Sequence, residues 1–156
     1  WDFASLPQDR PDGTKKSAQE RRVFDKGLGA INQLYGDKKT TVIQLTQMPK
    51  ELSLPKDFET NLTPFTVRGW CFFEATVSGV LKRPDFRLDL GVGAAVLDDE
   101  GADWGAVQRA CTANRQPPMI PDDMAWNLNQ RRFTNERDTA LLTSIYYKFF
   151  WETMAS

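Results

Sequence analysis

Residues 68–83 read RGWCFFEATVSGVLKR and combine a helical apolar stripe with a single carboxylate. Thr66 is the predicted N-cap of a helix that ends near Leu81. Glu74 falls at the margin of the stripe, so its carboxylate must be paired, solvated or used chemically, because burying an isolated charge is costly. The stripe recurs with helical spacing and comprises Trp70, Phe73, Val77, Val80 and Leu81.

The composition indicates a single globular domain with a sizeable core. The chain has 156 residues, of which 40% are hydrophobic and 26% are charged, as in ordinary globular proteins. The formal net charge is -1, so there is no broad basic field and nucleic acid is not an expected partner. No apolar run approaches the roughly 18 residues that a transmembrane helix needs, so no direct membrane span is expected.

The chain contains no histidine, which excludes histidine triads, histidine general bases and histidine metal ligands. Its two cysteines, Cys71 and Cys111, are too few for a zinc site or a disulfide framework. We interpret both as buried free thiols. No metal and no cofactor is therefore required by the sequence.

Strand and helix patterns alternate through the first hundred residues. Ser17 and Glu20 form a capping box that opens a helix over residues 17–35. TTVIQLT (40–46) and FRLDLGV (86–92) have strand character, and WDFAS (1–5) has the pattern of a strand end. This order predicts an α/β domain in which 40–46 and 86–90 are neighbouring parallel strands, with helix 17–35 packed across them.

The last third of the chain is mostly helical. Short helices are predicted over 103–113 and 122–133, and a long one begins at Thr134 or Asn135. We therefore predict an α/β core over residues 1–100 and a helical C-terminal extension over 101–156 that packs on it. In the long helix Tyr147 and Trp151 lie away from the main apolar row, which indicates a second contact surface.

Three motifs, taken in order, resemble those of HET (heterokaryon incompatibility) domains. DFASLPQ (2–8) is similar to their D-x-x-x-[IL]-x-Q segment, and a helix ending in Leu34-Tyr35 then precedes a strand, as in those domains. Their R-x-W-x-x-x-E motif is matched by Arg68, Trp70 and Glu74.

The W-C-x-x-E pattern within that last motif also resembles the third-helix motif of TIR domains. The whole chain is similar to uncharacterised algal and protist proteins through SLPQ (5–8), RGW…E (68–74) and FTN (133–135). The resemblance implies a flavodoxin-like parallel sheet flanked by helices, in which this chain starts at the second strand and lacks the first strand and helix. It is compatible with cytoplasm or an organelle, including a plastid if a targeting peptide has been removed.

The resemblance also implies a nucleotide site. The glutamate matching Glu74 supports cleavage of the nicotinamide–ribose bond in catalytic TIR domains, so NAD is a possible substrate or ligand. Arg68, Trp70, Asp2 and Gln8 are then candidate nucleotide-binding residues. The structural alternatives are an ion pair of Glu74 with Arg68, and turn or cap chemistry for Asp2 and Gln8.

Of three functional hypotheses, we favour a protein-interaction or accessory module that contacts a protein partner through Tyr147 and Trp151. Such a module could be a peripheral non-catalytic subunit of a larger assembly. The first alternative is a NAD nucleosidase that uses Glu74. The second is a nucleotide-binding domain without turnover.

Overall fold

The computed structural model describes residues 6–10, 12–47, 62–113 and 116–155. The predicted strand end at 1–5 lies outside these ranges. Within them, the elements follow one another as α1 (Ala18–Gly36), β1 (Val42–Gln44), α2 (Gly69–Leu81), β2 (Arg87–Asp89), α3 (Ala94–Leu97), α4 (Trp104–Cys111), α5 (Pro121–Asn129) and α6 (Arg137–Met154).

The two strands confirm the predicted parallel pair, although each is only three residues long. Val42 is paired with Arg87 and Gln44 with Asp89, and α2 lies on the crossover between the strands. Leu88 also forms an isolated antiparallel bridge with Thr112, which extends the pairing beyond β2. The architecture of the described residues is thus mixed α/β, with a small parallel sheet and a predominance of helix.

Helix α1 starts as predicted but packs differently. The Ser17–Glu20 capping box is present in both directions, and the helix ends at Gly36. The helix was predicted to lie across the strands, but its main neighbours are α2 and α6. The reason is that strands of three residues offer little apolar surface, whereas α2 presents a full apolar stripe to Ile31.

The start of α2 is set by a tertiary contact rather than by the predicted Thr66 cap. Residues 65–67 form a 3-10 turn, and α2 begins at Gly69 without any side-chain cap. The Gly69 amide donates to the Arg132 carbonyl at 2.9 Å, and the Arg132 amide donates to the Val67 carbonyl at 2.8 Å. A Cβ at Gly69 would lie 1.9 Å from the ring of Phe133. The RGW and FTN motifs are therefore in direct contact.

One hydrophobic core serves both parts of the predicted domain division. The cluster draws on α1 and α2 from the first hundred residues and on α5 and α6 from the rest. Tyr146 is fully buried at its centre, and its hydroxyl donates to the Met119 carbonyl at 2.7 Å. The buried members are Ile31, Phe73, Val77, Val80, Met124, Leu128, Leu142, Tyr146 and Phe149.

The long C-terminal helix begins slightly later than predicted. Its first residue is Arg137, and Glu136 occupies the capping position without a side-chain hydrogen bond. Asn135, one of the two predicted caps, still contributes, because its Oδ1 accepts a hydrogen bond from the Arg137 amide at 3.2 Å.

A buried lysine joins the ends of α1 and α2 to the start of β1. Lys82 is 1% exposed, and its Nζ donates to Thr40 Oγ1 at 2.6 Å, to the Thr40 carbonyl at 2.8 Å and to the Asp37 carbonyl. Burial lowers the pKa of Lys82 below its usual value, while the charge of Asp37 opposes that shift. Three oxygen acceptors replace the water that this ammonium group gives up on folding.

We expect Gly69→Ala to lower the free energy of unfolding by about 1–3 kcal/mol, because the added methyl group collides with the Phe133 ring. Gly29→Ala is the matched control, since a Cβ there meets open space in the middle of α1. That control should stabilise the protein by about 0.5–1 kcal/mol. Urea unfolding measures both. Equal effects of the two substitutions would contradict the Gly69–Phe133 contact.

A second prediction concerns Tyr146, whose pKa is raised by burial to about 12. Its contribution to stability is complete below its unfolded-state pKa of about 10 and is lost as the pH rises towards 12. Tyr146→Phe should cost about 1 kcal/mol at pH 7, because the Met119 carbonyl loses its partner. At strongly alkaline pH the wild type should lose up to about 3 kcal/mol relative to this variant, so the difference in stability should reverse in sign. A pH-independent difference in denaturant unfolding would contradict this.

Candidate functional site

Two of the predicted site residues meet in a cleft between the end of α1, strand β1 and the first turns of α2. Arg68 and Glu74 both line it, and its volume is about 230 Å³. Their approach follows from the fold, because the parallel pairing holds β1 beside the N-terminal half of the crossover helix. The described residues that line it are Tyr35, Val42, Ile43, Gln44, Leu45, Phe65, Arg68, Cys71 and Glu74.

The two charged residues lie at the edge of this cleft. The Nε of Arg68 donates to the Thr63 carbonyl at 2.6 Å, which fixes the guanidinium beside the cleft. Glu74 is half-buried, in keeping with its predicted place at the margin of the apolar stripe. The ion pair between Arg68 and Glu74 stays a prediction. A carboxylate and a guanidinium on one wall could hold a polar ligand of mixed charge.

Gln44 supplies the cleft with a polar group that the sequence did not single out. It is 6% exposed, and its side-chain nitrogen has no hydrogen-bond partner among the described residues. A buried amide donor without a partner is unfavourable by about 1–3 kcal/mol. The strand side of the cleft wall therefore carries a buried, unpaired amide donor.

Trp70 does not reach this cleft. Its Nε1 donates to Asp138 Oδ2 at 2.8 Å, and its ring makes an edge-on contact with Phe73 at 6.4 Å. Because successive helix residues are rotated by about 100°, Trp70 and Phe73 face the core, whereas Cys71 and Glu74 face β1. Of the predicted nucleotide-binding residues, Trp70 is therefore not brought together with Arg68 and Glu74 in this cleft.

Of the two predicted residues from the N-terminal loop, Gln8 lies within the described residues. Gln8 lies ahead of α1, where its amide nitrogen donates to the Leu6 carbonyl at 3.2 Å, and it does not line the cleft. This local bond is the turn chemistry that was the alternative for Gln8. Asp2 lies outside the described residues.

The cysteines differ from one another. Cys111 is buried, as predicted, but Cys71 is only partly buried and lines the cleft. Cys71 precedes Glu74 by three residues, and residues at this spacing lie on the same face of a helix, so the sequence already contained a signal for its position in the cleft. Within the described ranges, no group of three or more histidine, cysteine or acidic side chains could hold a metal ion.

A second surface lies along α6. Tyr147 is 57% exposed and Trp151 is 53% exposed, and their rings make an edge-on pair at 6.2 Å. Beside them runs a groove of about 600 Å³ between α5 and α6. Mostly small or polar residues line it: Ala125, Asn129, Glu136, Thr139, Ala140, Thr143, Ser144 and Tyr147.

Comparisons with known proteins do not assign either surface. No family model matches the chain, and neither a curated protein nor a solved structure is significantly similar to it. In the part of the chain that the structure describes, none of the helices combines the length and apolar character that crossing a membrane requires.

Cys71 offers a direct probe of the cleft. We expect a thiol-specific reagent to modify Cys71 in the folded protein and to modify Cys111 only after denaturation, because only Cys71 is accessible. Cys71→Ser should abolish the rapid thiol modification of the folded protein, whereas Cys111→Ser should leave its rate unchanged. Equal reaction rates of the two thiols in the native state would contradict this arrangement.

Proposed function

We propose that this chain is a protein-interaction or accessory module that binds its partner through the exposed aromatic face of α6. The observation that carries the proposal is the pair formed by Tyr147 and Trp151, each more than half exposed. Tryptophan and tyrosine are enriched among the residues that dominate binding energy at protein interfaces. Large aromatic groups left in solvent as a pair are unusual on a monomer.

The same helix is held rigidly on its other side, which supports a preformed binding surface. Leu142 and Tyr146 are fully buried in the core, and Phe149 is 7% exposed. The aromatic pair is therefore presented by a packed helix, so little conformational entropy is lost when a partner binds. A peripheral subunit of a larger assembly would have such a surface.

We place the module in the TIR/HET-like group with a flavodoxin-like arrangement. What supports this is the parallel pairing of β1 and β2 around a crossover helix that starts next to Arg68 and includes Glu74. The order of the three motifs in the chain supports it as well. The group assignment rests on these features and on sequence resemblance, and the interaction proposal does not depend on it.

The experiment is affinity capture from extracts of the source organism, followed by reconstitution of the complex from purified components. Trp151→Ala should weaken the reconstituted complex by upwards of about 1 kcal/mol, or roughly fivefold in Kd. Trp104→Ala is the matched control, because Trp104 is 59% exposed at the start of a different helix. Equal losses, or no loss with Trp151→Ala, would overturn the proposal.

The second candidate is a NAD nucleosidase, favoured by the presence of Arg68 and Glu74 in one cleft. A carboxylate beside the reacting ribose would stabilise the positive charge that develops as the nicotinamide leaves. The cleft volume of about 230 Å³ is small for such a ligand, since typical ligand pockets measure about 300–1,000 Å³. Trp70 is also committed to Asp138. Both points place this candidate second.

Incubating the protein with NAD distinguishes a NAD nucleosidase from a nucleotide-binding domain without turnover. Nicotinamide release that disappears in Glu74→Gln would establish the nucleosidase, because this substitution removes charge while nearly preserving shape. NAD binding by calorimetry without any release would instead establish nucleotide binding without turnover. We expect neither release nor binding. Turnover dependent on Glu74 would overturn our order of preference.

A further inference from the structure

The exposed face of α6 has a feature that points to one particular occupant. Its N-terminal half presents small side chains at Ala140, Thr143 and Ser144, which line the groove. Its C-terminal half presents the large rings of Tyr147 and Trp151. A helix face that is hollow at one end and projecting at the other is complementary in shape to an antiparallel copy of itself.

The charges on one flank of this helix also differ between its two ends. Arg137 is at the first position of α6, and Glu152 lies in its last turn. With Leu141 and Lys148 they recur at intervals of four and seven residues, so all four occupy one flank. The contact between Glu152 and Lys148 is long, at 3.7 Å, and the two side chains are 61% and 76% exposed.

We propose that this chain forms a two-fold symmetric dimer in which the α6 helices of two copies pack antiparallel. The proposal rests on the interaction surface proposed above and names its partner as a second copy. A two-fold axis between Ser144 and Ile145 brings Arg137 of each chain level with Glu152 of the other. In an isologous interface each such pair occurs twice, and the same flank meets the same flank.

The same axis places the rings over the hollow part of the face. Trp151 lies level with residue 138 of the other copy, over the groove wall formed by Glu136 and Ala140. Tyr147 lies level with residue 142, over Thr143 and Ser144. The groove of about 600 Å³ is the larger of the two cavities described above, and each copy offers one. One register thus satisfies both the shape and the charge of the face.

Sedimentation velocity over a concentration series tests the dimer through charge reversal and rescue. Arg137→Glu and Glu152→Arg each replace both attractive pairs by repulsive ones, so each variant alone should dissociate about tenfold more readily or worse. An equimolar mixture of the two variants restores both attractive pairs in a heterodimer. Dimerisation of the mixture, but of neither variant alone, is the expected result.

The helix dipole provides an internal control for folding. A negative charge at the start of α6 and a positive charge in its last turn both favour the helix, so neither reversal should unfold it. Circular dichroism and thermal melts check this. The Trp151→Ala variant should also be more monomeric than the wild type, whereas the Trp104→Ala variant should dimerise like the wild type.

The outcomes separate this inference from the proposed function. The antiparallel dimer is overturned if the chain is monomeric at all concentrations. It is also overturned if neither charge reversal nor Trp151→Ala changes the dissociation of the dimer. If capture of a different protein still depends on Trp151, the interaction function stands without the dimer. A rescued dimer together with the absence of any Trp151-dependent heterologous complex supports the second copy as the partner and overturns the accessory role.

Discussion

The contact between Gly69 and the segment around Arg132 and Phe133 is the constraint on which the rest of the structure depends. It joins the N-terminus of α2 to the chain between α5 and α6 through two backbone hydrogen bonds and a ring packed on the missing Cβ. Because α2 connects the two strands, this one contact positions the strands, the cleft beside them and the C-terminal helices relative to one another. Trp70 adds a third connection through Asp138 at the start of α6.

This contact gives the motifs a structural role. The glycine of RGW is required by the Phe133 ring, and the tryptophan is occupied by Asp138 and Phe73. Arg68 and Glu74 remain at the cleft, where a ligand could meet them. The motif thus combines residues that build the fold with residues that face solvent, and only the second kind can act chemically. A sequence pattern alone does not divide them in this way.

The two surfaces differ in what they can bind. The cleft is small and has a mixed apolar and polar lining, with a buried amide donor at Gln44 and a half-buried thiol at Cys71. The α6 face is long, aromatic and rimmed by charges, which is the usual anatomy of a protein interface. The helix is held in place by its buried residues Leu142, Tyr146 and Phe149, which pack in the core, while Tyr147 and Trp151 are exposed. The residues of this helix that pack in the core and the exposed aromatic pair therefore lie on different faces.

The sequence by itself determined the elements whose signals are local. The capping box of α1, the β-branched strand at β1 and the outward placement of Tyr147 and Trp151 follow from spacing within a few residues. The parallel order of the strands follows from the helix that lies between them in the chain. The tertiary structure alone decided where α2 begins, that α1 packs on helices rather than on the strands, and that Trp70 turns away from Glu74. It also decided that Gln44 and Cys71 share a cleft with Arg68. These features depend on contacts between residues far apart in the chain, such as Gly69 with Phe133, for which no local pattern carries a signal.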